Sequence, residues 1–223
     1  MSINTKLKDR THHISFGRNS FILGLVFILS VLITFIPTLF YQNLQNVNLS
    51  FKIMVVMEFV VSFIIYLIFY RKTLNPIKEG RRIFFISLVV VVGIQFLTYV
   101  LQKHDIGSLK ISSDNALSLF MLAAIIPFYE EVFYRGCLFD ALTSVFKGRL
   151  FFPSIITSVI FSFMHTQYSG IMPFLIMFFI SLILINARLT CNNIISPIFL
   201  HCTMNSFFII VNMQVFFLRI LPL

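Results

Sequence analysis

The sequence predicts an all-α, polytopic transmembrane helical bundle. Of its 223 residues, 58% are hydrophobic and only 11% are charged, whereas soluble domains average about 25% charged residues. The apolar residues form long unbroken runs, unlike the alternating pattern of a membrane β-barrel strand. The mean hydropathy is +0.95. This composition excludes a soluble enzyme, a disordered chain and a small disulfide-stabilised domain.

Seven apolar runs follow one another along the chain, and each approaches the roughly twenty residues that a helix needs to cross a bilayer. They are Phe21–Tyr41, Phe51–Tyr70, Ile83–Leu101, Ala116–Phe139, Leu150–Tyr168, Ile171–Ala187 and Ile194–Phe217. The last run contains Asn205 and Asn212, and a split there would make eight spans. We therefore expect an N-terminal segment (1–20), three transmembrane helices (21–115), a core that holds the candidate site (116–217) and a tail (218–223).

The orientation follows from the distribution of basic residues, because Lys and Arg concentrate in cytoplasmic loops. The N-terminal segment and alternate connections carry Lys6, Lys8, Arg10, Arg18, Arg71, Lys72, Lys78, Arg81, Arg82, Lys147, Arg149 and Arg188. Residues 42–50 and 169–170 carry no Lys or Arg, and residues 102–115 carry two of each sign. We expect the N-terminus in the cytoplasm. The net charge of +9 is thus explained by topology, and nucleic acid is not an expected partner.

The fourth apolar run contains the first candidate site residues, Glu130, Glu131 and Arg135. A charged group in a transmembrane helix costs a few kcal/mol on insertion scales and usually has a partner or a function. Arg135 is four residues after Glu131, on the same helical face, and can neutralise it. Glu130 points about 100° away around the helix and lacks that partner. Pro127 is expected to kink the helix and admit polar groups or water.

Two further runs contribute polar side chains that can converge with Glu130. The fifth contains Phe161 and His165, and the seventh contains His201 and Asn205 at a spacing that places them on one helical face. A single buried His is usually a hydrogen-bonded packing residue, and a membrane Asn commonly bridges two helices. The joint order EExxxR, FxxxH and HxxxN on three separate spans is far more specific than any one of these features.

That order resembles the CPBP intramembrane protease family, also known as the CAAX-protease, bacteriocin-processing or Abi family. The matching residues are Glu130, Glu131, Arg135, Phe161, His165, His201 and Asn205, and Gly136 matches the family's Arg-Gly continuation. The resemblance covers residues 127–205 and makes 116–217 the expected protease core. It implies an intramembrane endopeptidase whose substrate is a membrane-associated peptide or protein. Its bacterial relatives imply processing of peptide pheromones or bacteriocins, or immunity to them.

The resemblance also implies a role for each matching residue. Glu130 would take a proton from the attacking water, with His165 helping to hold that water, and His201 with Asn205 would stabilise the oxyanion. Glu131 and Arg135 would support the site. No cofactor is expected. Zinc bound by Glu130, His165 and His201 is the alternative, although the chain has no HExxH motif.

We expect the protein in a cell membrane, and specifically in a bacterial cytoplasmic membrane. The lipid bilayer that surrounds it is an expected partner. The depths of Glu130 and His201 in their runs favour a cavity open to the cytoplasm. Glu58 is a separate intramembrane acid, expected to pair with another helix. Two alternatives stay open: an ion- or proton-coupled transporter, and a non-catalytic membrane scaffold of the same fold.

Overall fold

The computed structural model describes residues 18–39, 47–71, 80–101, 113–165 and 170–220, and within these ranges it contains helices and no strand. The helices are α1 (Arg18–Thr34), α2 (Val47–Ile65), α3 (Arg81–Leu101), α4 (Ser113–Phe120), α5 (Ile126–Glu130), α6 (Phe139–Val145), α7 (Phe151–Phe163), α8 (Ile171–Cys191) and α9 (Ile195–Ile220). A π-helical turn, Tyr66–Tyr70, continues α2. The N-terminal segment up to residue 17 and the last three residues lie outside the described ranges.

Helices α4, α5 and α6 are joined end to end by two π-helical segments, Met121–Ile125 and Glu131–Leu138. We call this unit, residues 113–145, the composite helix. It extends six residues beyond the predicted end at Phe139, because the charge of Asp140 has a partner inside the bundle, Arg188 of α8. Its apolar span is Ala116–Val145.

Five helices in the described ranges are long and apolar enough to cross a membrane, and two apolar helices, Phe151–Phe163 and Ile195–Val211, are shorter. All seven correspond to the predicted runs, so the predicted membrane bundle is confirmed. The fifth run gives a helix of 13 residues, about 20 Å long, shorter than predicted. The split suggested at Asn205 or Asn212 is wrong, because α9 is one helix from Ile195 to Ile220.

The described residues form two large apolar cores, and a smaller one lies between α1 and α2 around Ile33, Met54 and Val55. One large core lies between α1, α2 and the second half of the composite helix and includes Leu23, Phe27, Val132 and Phe161 of α7. The other lies between α3, α8 and α9 and includes Val91, Ile180 and Leu200. Helix α9 also packs against Met121–Ile125 and α5. The composite helix also contacts α7, so the motif-bearing helices are brought together along it.

The surface is apolar and the interior contains many small hydroxyl side chains. Leu32, Val89 and Phe163 are each at least 60% exposed, while Ser62, Ser158 and Ser181 are fully buried. Because lipid solvates apolar side chains as well as the protein interior does, apolar burial does not hold membrane helices together. Small residues at the helix contacts allow the close packing that does. This distribution is that of a multi-pass membrane protein.

Two local features fix the start of α9, which carries His201 and Asn205, and the start of α3. Asn193 caps its first turn, since the Asn193 Oδ1 accepts hydrogen bonds from the Ser196 backbone N–H at 2.7 Å and hydroxyl at 2.9 Å. Gly80, at the start of α3, has φ of 84°, and a Cβ there would lie 2.7 Å from the Thr190 carbonyl oxygen. Glycine therefore lets α3 begin in contact with the end of α8.

Candidate active site

The two adjacent glutamates lie at a change of helical type. Glu130 is the last residue of α5, and Glu131 begins the eight-residue π segment, whose residues are all buried. A π-helix has i→i+5 hydrogen bonds and occurs mostly at functional sites. Glu130 stays 18% exposed, whereas the Glu131 side chain is fully buried. Two neighbouring carboxylates therefore occupy different environments.

Glu131 is the centre of a buried cluster of charges. Its Oε1 lies 3.0 Å from Arg135 Nη1, the pair that the four-residue spacing predicts, and it accepts a 2.8 Å hydrogen bond from His201 Nδ1. The Arg135 guanidinium also lies over the Phe161 ring, 4.1 Å from its centroid. All four side chains are at most 2% exposed. Breaking such a buried pair leaves an uncompensated charge, which costs about 3–5 kcal/mol.

His201 stands between the two glutamates. Because Glu131 accepts from Nδ1, the other ring nitrogen, Nε2, faces Glu130 and lies 3.8 Å from its Oε2. That distance exceeds a direct hydrogen bond, and one water molecule can contact both atoms. The order of the motifs predicted that His201 lies near Glu130; its contact with Glu131 was not predicted.

His165 lies just beyond the end of α7 and is held by its own helix. Its Nδ1 donates to the Phe161 carbonyl oxygen at 2.7 Å, and its ring centroid is 4.4 Å from that of Phe161. The Phe161 ring also lies 6.1 Å from the His201 ring. Phe161 is thus the aromatic spacer that sets the positions of both histidines and of Arg135, which gives a physical reason for the Phe of the FxxxH motif.

Asn205 compensates for Pro127. In the π turn Met121–Ile125, the Ile126 N–H donates to the Met121 carbonyl, five residues back. The next donor in that register would be residue 127, but proline has no N–H. Asn205 Nδ2 donates instead to the Leu122 carbonyl at 2.9 Å. The predicted kink at Pro127 is therefore a π turn within a continuous helix, and the polar group that Pro127 admits comes from α9.

One cavity of about 570 Å³ connects the predicted catalytic residues Glu130, His165, His201 and Asn205. Glu131 and Arg135 lie behind its wall. The rest of the lining is mostly apolar and comprises Thr34, Phe51, Gln95, Thr98, Tyr99, Leu122, Ile126, Tyr129, Pro173, Ile176, Met177, Met204, Phe207, Phe208 and Val211. Sequence reasoning missed Gln95, Thr98 and Tyr99, although their i, i+3, i+4 spacing in an apolar run marks one polar helix face.

Glu58 is buried beside the site, and its partners are on α1, so the expected pairing with another helix is present. Its Oε1 lies 3.2 Å from the Ser30 hydroxyl and 3.3 Å from that of Thr34, which also lines the cavity. Its Oε2 has no hydrogen-bond partner among the described residues. Glu58 and Glu130 are close enough for their charges to interact.

A second charged cluster lies further along the composite helix. Asp140 Oδ2 accepts from Arg188 Nη2 at 2.8 Å and from the Tyr70 hydroxyl at 3.0 Å. Arg188 is thus not a loop charge as the sequence suggested, because it lies in α8 and pairs with a carboxylate inside the bundle. Gly136 packs against this cluster: a Cβ there would lie 3.0 Å from the Tyr70 ring.

Zinc bound by these side chains is the alternative to a metal-free site. In the part of the chain that the structure describes, no three His, Cys, Asp or Glu side chains are arranged to hold an ion. His201 uses Nδ1 for Glu131, and its Nε2 is the ring nitrogen that faces Glu130. The alternative zinc set of Glu130, His165 and His201 is therefore not preformed.

Comparison with known proteins supplies a family. Residues 112–207 match the family model described as type II CAAX prenyl endopeptidase Rce1-like. A protein of Escherichia coli, named "Uncharacterized 24.3 kDa protein", is 27% identical over 88 residues, which cover 40% of this chain and 41% of that protein. The chain thus aligns with about two fifths of that relative's length. No solved structure matches the chain significantly. The family match confirms the resemblance carried by the EExxxR, FxxxH and HxxxN motifs: residues 112–207, a little under half of the chain, are similar to the Rce1-like family of CAAX prenyl endopeptidases.

Proposed function

We propose that the protein is an intramembrane endopeptidase that hydrolyses a peptide bond in a membrane-associated peptide or protein. The observation that carries this proposal is the 3.8 Å approach of Glu130 Oε2 to His201 Nε2 in a 570 Å³ cavity, with His201 held from behind by Glu131 at 2.8 Å. A base, an oriented imidazole and an amide donor thus line one cavity large enough for part of a peptide. The family match supports the same class of reaction.

Glu130 is the general base. It has no ion pair of its own comparable to that of Glu131, and it is the carboxylate that the cavity reaches. Water held beside its Oε2 attacks the carbonyl carbon of the substrate, and the proton passes to Glu130 and then to the departing amine. His165, whose Nδ1 donates to Phe161, helps to position this water through its Nε2 edge.

His201 and Asn205 stabilise the oxyanion. Asn205 uses one amide hydrogen for the Leu122 carbonyl, and its second amide hydrogen is the donor for the substrate. His201 donates to Glu131 from Nδ1, so donation from Nε2 requires the ring to carry both protons. Glu131 then serves as the counter-ion of the imidazolium, in a site where water is scarce and such interactions are strong.

The decisive experiment compares wild type with Glu130→Gln, which keeps the side-chain shape and removes the base. Purified proteins with equal thermal unfolding are assayed for cleavage of membrane-associated peptides, each with and without a zinc chelator. We expect Glu130→Gln to lower kcat by about 10²–10⁴-fold and the chelator to have no effect. Equal cleavage by both proteins would refute the role of Glu130. Loss with chelator and recovery with zinc would replace the metal-free mechanism.

The finer expectations concern substrate and biology. CAAX-type cleavage, peptide pheromone or bacteriocin processing, and immunity are proposals that rest on the family resemblance. Mass spectrometry of peptides that accumulate in membranes containing Glu130→Gln, but not wild type, would identify the substrate. If the two membranes had the same peptide content, the alternatives of a scaffold or a transporter would be favoured.

A further inference from the structure

We infer that the active-site cavity opens on the non-cytoplasmic side of the membrane, so that the substrate is an apolar segment of an exported peptide or an extracytoplasmic part of a membrane protein. That the cavity binds a substrate rests on the proposed function. The side of the membrane on which the cavity opens, its sidedness, is inferred from the helix order and the charges alone. It reverses the cytoplasmic opening that the depths of Glu130 and His201 suggested.

The cavity is confined to one end of the bundle. Successive spans run in opposite directions, and the lining residues alternate accordingly between the ends and the beginnings of helices. Thr34 ends α1, Phe51 is near the start of α2, and Thr98 is near the end of α3. Leu122 is in the first part of the composite helix, and Pro173 is in the first turn of α8. All these positions lie near the connections at residues 40–46, 102–112 and 166–169.

Helix α9 shows the direction of the cavity. His201 lies at the level of Glu130, and Asn205, Phe208 and Val211 also line the cavity. At 1.5 Å per residue they lie about 6, 10 and 15 Å beyond His201. Phe51 and Phe208 are 39% and 40% exposed, so the cavity reaches the surface near that end.

The opposite end is closed by protein. Directly below Glu130, Glu131 and Arg135 are fully buried. About a turn further, Asp140, Tyr70 and Arg188 form the second charged cluster between the composite helix, the end of α2 and the end of α8. Every residue from Glu131 to Asp140 is buried. A peptide at that end is therefore separated from Glu130 by two layers of paired charges.

The closed end is also the basic end. Eleven of the seventeen Lys and Arg residues lie in the N-terminal segment and in the connections at that end: Lys6, Lys8, Arg10, Arg18, Arg71, Lys72, Lys78, Arg81, Arg82, Lys147 and Arg149. The open end carries four: Lys103 and Lys110 in its connections, Lys52 near the start of α2 and Arg219 near the end of α9. Short loops rich in Lys and Arg remain in the cytoplasm. The open end then faces the other side.

The lining residues indicate which kind of substrate segment the cavity accepts. Its outer part is formed by Phe51, Phe207, Phe208 and Val211, with Gln95, Thr98 and Tyr99 on the wall contributed by α3. Apolar side chains of a substrate can be buried against the phenylalanines and Val211. The amide of Gln95 and the hydroxyls of Thr98 and Tyr99 can hydrogen-bond with the backbone of an extended peptide. Among the described residues no Lys or Arg lines the cavity, so this part of the lining offers an acidic segment no counter-charge.

Cysteine labelling tests the sidedness without requiring activity. Gln95→Cys, in the cavity, and Arg149→Cys, exposed at the basic end, are made in a Cys202→Ser background, since Cys137 and Cys191 are buried. Intact spheroplasts are treated with a membrane-impermeant maleimide. We expect labelling of Gln95→Cys before permeabilisation and of Arg149→Cys only after it. The reverse pattern would overturn the inference.

A second experiment separates this inference from the proposed function. Wild type and Glu130→Gln are given an apolar fluorogenic peptide with a hydrophilic polymer tail that prevents its crossing, in detergent and outside sealed spheroplasts. Cleavage by wild type alone in both settings supports both proposals. Cleavage in detergent but not outside spheroplasts overturns the sidedness and leaves the peptidase intact. Absence of cleavage in detergent counts against the proposed function, and the labelling then decides the sidedness.

Discussion

The composite helix carries two buried clusters of charge that differ in one respect. In the first, Glu131 is shared by Arg135 and His201, and Glu130 lies beyond His201 at the cavity. In the second, Asp140 is shared by Arg188 and Tyr70 and has protein on every side. Both place a carboxylate against a guanidinium within an apolar bundle. Only the first borders the cavity, so paired charge by itself does not identify a candidate site.

Glu131→Gln is expected to have the largest combined effect on stability and kcat, because Glu131 both neutralises Arg135 and orients His201. Gln can still accept from His201 Nδ1, but Arg135 loses its counter-charge inside the bundle. We expect the free energy of unfolding to fall by about 3–5 kcal/mol and kcat of the folded enzyme to fall by roughly a hundredfold or more, as when an orienting acid is neutralised.

Thermal unfolding in detergent and single-turnover cleavage measure the two effects of Glu131→Gln. The neighbouring Glu130→Gln is the matched control, since it should reduce kcat with little change in stability. If Glu131→Gln retained wild-type kcat, His201 would not depend on Glu131 for its orientation.

Asp140→Asn tests the second cluster. The substitution is isosteric and leaves the buried Arg188 guanidinium without a negative partner, so we expect a loss of about 3–5 kcal/mol in the free energy of unfolding. Cleavage per folded molecule should be unchanged, because Asp140 does not line the cavity. Denaturation followed by tryptic digestion gives the stability, and active-site titration normalises the rate. A large loss of kcat without loss of stability would contradict the distinction between the clusters.

Gly136→Ala is expected to have a smaller effect on stability. Gly136 lies between the two clusters, against Tyr70 of the second one. The new Cβ would lie 3.0–3.1 Å from two ring carbons and the hydroxyl oxygen of Tyr70, and that hydroxyl donates to Asp140. Overpacking of this kind costs about 1–3 kcal/mol. We expect a lower unfolding temperature and little change in kcat. Gly93→Ala is a suitable control, because nothing lies within 4 Å of a Cβ at that glycine.

Glu58→Gln should have the smallest effect. The amide oxygen can still accept from Ser30 and Thr34, which are the contacts that tie α1 to α2, so we expect a change of less than about 1 kcal/mol in unfolding and nearly normal cleavage. Glu58→Ala, which removes both contacts, should destabilise the protein. A loss of kcat by Glu58→Gln as large as that caused by Glu130→Gln would make Glu58 part of the catalytic machinery.

The membrane bundle and its motif residues were predictable because they depend on local properties of the chain. Hydrophobic runs of about twenty residues predict membrane helices, and the four-residue spacing predicts the Glu131–Arg135 pair. The order of EExxxR, FxxxH and HxxxN predicted the family that the match over residues 112–207 supports. The distribution of Lys and Arg predicted which helix ends face the cytoplasm.

The remaining features depend on contacts between residues distant in the chain. Glu131 holds His201 across 70 positions, and Asp140 holds Arg188 across 48; neither spacing carries a periodic signal. The π turn at Met121–Ile125 follows from the missing N–H of Pro127 together with the donor on Asn205, 83 positions from Leu122. The sequence by itself determined the composition of the site and the basic side of the bundle. Only the tertiary structure decided that Glu131 holds His201 and at which end of the bundle the cavity lies, because both depend on which helix faces pack together.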